Sequence, residues 1–131
     1  MLAVLLLAAA LRIYGLNAQG MWGDEGWSMW LARGQTPREV LSMVLTDQHG
    51  PVYTFLLRGW YTLAGPSVLA LRWLTVMFSI ASIALLYRLG ARLFSPLAGV
   101  GAALAFALMD KHVVLTQEVR SYPILYFVMM T

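Results

Sequence analysis

The sequence predicts an all-α integral membrane protein, a polytopic helical bundle with interfacial helices in its first outer loop. Three observations carry that expectation. Hydrophobic residues fill 60% of the 131 positions and charged residues only 11%, where soluble domains carry about 25% charged residues. Two windows, residues 73–87 and 96–109, contain no charge at all. Arginines stand at the edges of the first window rather than inside it, with Arg72 before it and Arg88 after it, where long stems reach the interfaces.

Residues 1–14 read as a first span, Ala/Leu-rich and uncharged up to Arg12, although a full crossing takes about 20 apolar residues. A signal peptide has a similar apolar stretch, but no Lys or Arg precedes this one. Residues 15–67 form a polar outer loop with short helices. In the first, residues 25–33, Trp27, Trp30 and Leu31 share a face suited to the membrane interface, and Gly34 supplies the stop. The second opens on Thr36-Pro37-Arg38-Glu39, a cap, a first-position proline and a capping-box glutamate. The third, residues 51–64 between Gly50-Pro51 and Gly65-Pro66, reaches only about 21 Å and carries Arg58, so it is interfacial or re-entrant.

Residues 68–93 form the clearest span. Ser95-Pro96 starts another over 96–112, whose Gly99/Ala103 and Gly101/Ala105 pairs offer small faces for close packing. Residues 110–121 are a second polar outer loop, and 122–131 begin an apolar run cut in mid-span. Arg88 and Arg92 flank the turn between the two clearest spans, so the positive-inside rule places that turn in the cytoplasm and both polar loops outside.

Composition also excludes functions. The net charge of +3 comes from nine cations, eight of them arginines scattered singly, which is no nucleic-acid footprint. With no cysteine, disulfides and thiolate chemistry are absent. Two histidines without HxxxH spacing do not make a zinc site. No cofactor is written in the sequence, and a divalent cation stays an open alternative.

That topology gathers Asp24, Glu25, His49, Glu118 and Arg120 on one side of the membrane. A carboxylate there suits a general base toward a hydroxyl or amine acceptor, and Arg and His suit a phosphate leaving group. Each residue also has a bland reading. Asp24 is placed as a helix N-cap with Glu25 favouring the dipole, His49 as a solvated loop residue, and Glu118 with Arg120 as an ordinary surface pair. Arg12 and Arg58, at the hydrocarbon boundary, need an anion, water or a headgroup. The tryptophans and Tyr14 and Tyr61 read as an interfacial belt, with sugar stacking as the alternative.

Several segments together resemble the polytopic GT-C glycosyltransferases of the protein O-mannosyltransferase and aminoarabinose transferase type. They are Arg12 near the end of the first span, Met21-Trp22-Gly23-Asp24-Glu25, His49-Gly50-Pro51-Val52-Tyr53, Leu69-Ala70-Leu71-Arg72 and Gln117-Glu118-Val119-Arg120-Ser121-Tyr122. The resemblance implies a partial GT-C transmembrane domain over 1–131, and a glycosyltransferase moving a sugar with inversion from a polyprenyl-phosphate donor to a lipid, glycan or protein acceptor. It implies Asp24 as catalytic base with Glu25 beside it, His49 facing the donor phosphate, and Glu118 and Arg120 completing the site. It also implies a multi-pass protein of a bacterial plasma membrane with the site on the outer face. The family tripeptide His-Pro-Pro or Lys-Pro-Pro reads His49-Gly50-Pro51 here, and the later spans are not in the sequence. A transporter or structural membrane protein is the rival class. It predicts ionisable residues at mid-bilayer or broken helices, or no convergence of Asp24, His49, Glu118 and Arg120.

Overall fold

A computed structural model describes residues 1–18, 20–33, 36–46 and 51–131. Its eight helices in the described residues are α1 (Leu2–Ile13), α2 (Gly23–Arg33), α3 (Pro37–Thr46), α4 (Pro51–Ala64), α5 (Val68–Leu93), α6 (Pro96–Leu108), α7 (Asp110–Thr116) and α8 (Tyr122–Met129). The all-helical expectation holds for these residues. α5 is the organising element, packing against α1, α4, α6, α7 and α8, while α2 and α3 pack on α4.

Local chemistry sets the helix starts. The Ser67 hydroxyl accepts from Ala70 N at 3.1 Å to open α5, and the Ser95 hydroxyl accepts from Ala98 N at 3.1 Å to open α6, with Pro96 in its first turn. Each cap satisfies an N–H that the first turn leaves without a partner. The capping box of α3 is present: Glu39 N donates to Thr36 Oγ1 at 3.3 Å, and Thr36 N donates to Glu39 Oε2 at 3.0 Å.

Two apolar clusters fill the bundle. Ala32, Tyr53, Leu57, Leu71, Leu74, Val119 and Ile124 join α2, α4, α5 and α8, and Val4, Ala8, Ile83, Ala103 and Ala107 join α1, α5 and α6. The hairpin of α5 and α6 is closed by glycine. A Cβ on Gly99 would lie 2.6 Å from the Tyr87 carbonyl oxygen and 2.8 Å from Ala91 N, inside contact distance. Of the two small-residue faces expected on α6, Gly99, Ala103 and Ala107 are buried, whereas Gly101 and Ala105 face outward.

Three expectations differ from the structure. Among the described residues only α5 is by itself long and apolar enough to cross a membrane; α1 is shorter, and α6 and α7 pass that test only as a pair bent by 62°. The expected span over 96–112 therefore breaks at Met109, and half of the expected polar loop 110–121 is helix α7. The break arises because Met109 is extended while its carbonyl accepts from His112 N and Val113 N, both at 3.0 Å, starting a new helix in another direction. On α2, Leu31 is buried, but Trp27 and Trp30 turn outward and stack at 4.9 Å. Finally, Arg72 does not snorkel. Its side chain is 2% exposed, because a carboxylate is built into the bundle beside it.

Candidate active site

The carboxylate is Glu25. The first turn of α2 presents Asp24 and Glu25 as neighbours, and successive residues on a helix point about 100° apart. They meet different surroundings. Glu25 turns inward and is fully buried. Its Oε1 accepts from Arg72 Nε at 2.9 Å and its Oε2 from Arg72 Nη2 at 2.7 Å, while Oε1 also accepts from Val119 N at 2.9 Å. Arg72 Nη1 donates to the Leu16 carbonyl at 2.7 Å. One bidentate pair thus ties the α1–α2 connection, α2, α5 and the segment before α8. The geometry matches the planar fork of guanidinium to the two carboxylate oxygens.

Asp24 turns the other way, with its side chain 55% exposed, and forms an ion pair with Arg120, whose side chain is 19% exposed. Glu118 Oε2 stands 3.6 Å from Arg120 Nε. The Arg120 guanidinium also lies 5.3 Å from the ring centre of Trp22 and 5.8 Å from that of Tyr122, within cation–π range. Arg120 reaches this position because the chain turns tightly after α7, with Arg120 N donating to the Glu118 carbonyl at 2.9 Å. Burial, then the nearby Glu25 charge, raises the Glu118 carboxyl above its ordinary value. Tyr53, on the buried face of α4, has its phenol raised by burial and then by Glu25.

The other predicted site residues are placed elsewhere. Arg12 is fully buried among α1, α5, α6 and α7. It donates from Nε to Ser79 Oγ at 2.6 Å and from Nη1 to the carbonyls of Ala8 at 3.1 Å and Ala107 at 3.2 Å, and its Nη2 lies 2.7 Å from His112 Nδ1. An arginine always donates, so this contact assigns His112 as the Nε2–H tautomer. Hydrogen bonds inside the bundle offset the cost of the Arg12 charge in this arrangement. Glu25, expected beside the base Asp24, has both its oxygens engaged by Arg72 and Val119 N. Arg58 is half-buried midway along α4, and His49 lies outside the described residues. Among the described residues, no group of three His, Cys, Asp or Glu side chains is placed to hold a metal ion.

Sequence reading passed over Arg72 as a partner for Glu25, and it also missed His112 and Gln117. The Gln117 amide donates to the carbonyls of Arg12 at 3.2 Å and Tyr14 at 2.9 Å, closing the C-terminal end of α1. One signal for the ion pair was available: opposite charges at two apolar segment ends are costly in hydrocarbon unless they meet.

Comparison with protein families matches residues 48–131 to the family described as dolichyl-phosphate-mannose-protein mannosyltransferase. That is more than half of the chain. The chain belongs to this family. Its members are integral membrane glycosyltransferases that use a lipid-linked sugar donor. The matched stretch holds Arg58, Arg72, Glu118 and Arg120, while Arg12, Asp24 and Glu25 precede it. No curated protein and no solved structure matches the chain.

Proposed function

We propose that this chain forms the part of a polyprenyl-phosphate-dependent glycosyltransferase in which Asp24 is the catalytic base and Arg120 holds the donor phosphate. The reading rests on one observation, the outward-facing Asp24–Arg120 pair, together with membership of the mannosyltransferase family. A base must reach an acceptor from outside the bundle, and Asp24 is the carboxylate of its motif that does. A phosphate must meet a donor-rich cation, and Arg120 is partly exposed, flanked by Trp22 and Tyr122.

In this reading the acceptor oxygen attacks the anomeric carbon in line as the bond from that carbon to the phosphate oxygen breaks. The acceptor proton passes to Asp24, and the electron pair leaves with the phosphate, where Arg120 stabilises the developing charge. Attack opposite the leaving group inverts the anomeric centre. Arg120 exchanges Asp24 for the incoming phosphate, which frees the carboxylate for the acceptor. Glu25 acts by position: its pairing with Arg72 and Val119 N fixes the start of α2 against the segment that carries Arg120. The acceptor is a lipid, glycan or protein on the outer face of a bacterial plasma membrane, and the protein crosses that membrane several times.

The test is sugar transfer by the purified protein in detergent from a panel of polyprenyl-phosphate sugars, comparing the natural chain with Asp24→Asn at equal expression. Loss of general-base catalysis lowers turnover by about 10²–10⁴-fold. Undiminished turnover in Asp24→Asn overturns the assignment of the base, and no turnover with any donor shifts weight to a transporter or structural role.

A further inference from the structure

When Arg120 gives up Asp24 for a phosphate it loses its nearest carboxylate. An arginine stem has several rotatable bonds, and any freedom it gains at that moment must be lost again when the phosphate binds. Glu118 offers a weak hold. Its Oε2 stands 3.6 Å from Arg120 Nε, beyond hydrogen-bond length, and Nε makes no hydrogen bond among the described residues. The Glu118 carboxyl is also raised above its ordinary value, first by burial, which weakens it as an anionic partner.

Two aromatic rings remain. Trp22, in the segment before α2, has its ring centre 5.3 Å from the Arg120 guanidinium carbon, and Tyr122, at the start of α8, has its ring centre 5.8 Å away. Arg120 Nη1 also donates to Tyr122 Oη at 3.5 Å. A ring face attracts the guanidinium charge through its quadrupole and takes up none of its five N–H groups. The rings therefore act on Arg120 equally well whether its donors face Asp24 or a phosphate. Neither ring belongs to the apolar clusters that fill the bundle, so their place beside the cation is not a by-product of core packing.

We propose that Trp22 and Tyr122 are positioning residues for the donor phosphate, holding the Arg120 guanidinium in place while it passes from Asp24 to that phosphate. This role rests on the assignment of Arg120 to the phosphate. Both residues act through Arg120: they keep its donors oriented before the anion arrives, so less of the binding energy goes into ordering the side chain. Trp22 contributes more than Tyr122, because its ring is nearer and indole is the strongest of the aromatic partners for a cation.

The experiment measures binding of polyprenyl phosphate, which carries the phosphate without a sugar, to the purified protein in detergent. It compares the natural chain with Trp22→Leu, Trp22→Phe, Tyr122→Leu, Arg120→Gln and Arg120→Gln/Trp22→Leu, each at unchanged far-UV helicity. Trp22→Leu is expected to weaken binding about 5-fold, the effect of one cation–π contact. Tyr122→Leu weakens it less, and Trp22→Phe, which restores a ring face, only about 2-fold. Arg120→Gln weakens it about 10-fold or more, and adding Trp22→Leu to that variant changes nothing further, because the ring acts through the guanidinium. Unchanged binding in Trp22→Leu or Tyr122→Leu overturns the role of that ring, and equal weakening by Trp22→Leu and Trp22→Phe overturns its cation–π basis. A further loss of the same size in the double variant shows Trp22 acting on the ligand or the fold directly, and overturns positioning through Arg120. Full binding by Arg120→Gln, or none by the natural chain, instead refutes the phosphate assignment on which the role rests.

Discussion

Replacing Glu25 by Ala tests whether the charged pair at the base of the site holds it together. The substitution removes the acceptor for two Arg72 nitrogens and for Val119 N. It leaves Arg72, 2% exposed, without its counter-charge. Breaking one side of a buried ion pair costs about 3–5 kcal/mol, and the orphaned Val119 N–H adds about 1 kcal/mol or more. Against a total stability of about 5–15 kcal/mol, Glu25→Ala is expected to lose about 4 kcal/mol or more. The assay is unfolding in mixed micelles followed by helicity, with Arg72→Leu and Glu25→Leu/Arg72→Leu completing a double-mutant cycle. The double variant removes both charges together and is expected to recover most of the loss, since apolar side chains of similar volume often replace a buried pair at little cost. Single substitutions that each cost under about 1 kcal/mol, the range of a solvated surface pair, would refute the reasoning.

The outer pair behaves in the opposite way: Asp24→Asn leaves stability within about 1 kcal/mol because its side chain is 55% exposed, while sugar transfer collapses, so stability and turnover separate Asp24 from Glu25. Gly99→Ala costs about 1–3 kcal/mol by overpacking against the Tyr87 carbonyl and Ala91 N, whereas Gly101→Ala, which meets nothing within 4 Å, is neutral or slightly stabilising in the same unfolding assay. Glu118 has a raised carboxyl in the folded state, so the folded protein keeps that proton to higher pH than the unfolded chain. Stability from this group therefore falls as pH rises from the ordinary carboxylate range through the raised value. Glu118→Gln is expected to flatten that slope, and an unchanged pH profile would show that Glu118 titrates normally.

The sequence by itself determined the class and the local elements. Composition and charge-free windows marked a helical membrane protein; Ser67, Ser95 with Pro96, and Thr36 with Glu39 marked helix starts, because caps act within one turn and are written in adjacent residues. The order of the short motifs pointed to the glycosyltransferase family, which the match over residues 48–131 supports. What the sequence did not hold was which way each polar side chain turns. Asp24 and Glu25 are equivalent as letters, yet one faces outward and the other is sealed against Arg72, a difference decided by the packing of α2 on α4 and α5. Arg12 and Arg72 have the residue type and the segment-end position of interfacial cations, but the bundle brings Ser79, His112, Glu25 and backbone carbonyls around them. The bend at Met109 likewise came from backbone geometry that periodicity does not encode. Local rules reach about a turn of helix, whereas the desolvation of a charge depends on residues distant in sequence, and only the tertiary structure brings those together.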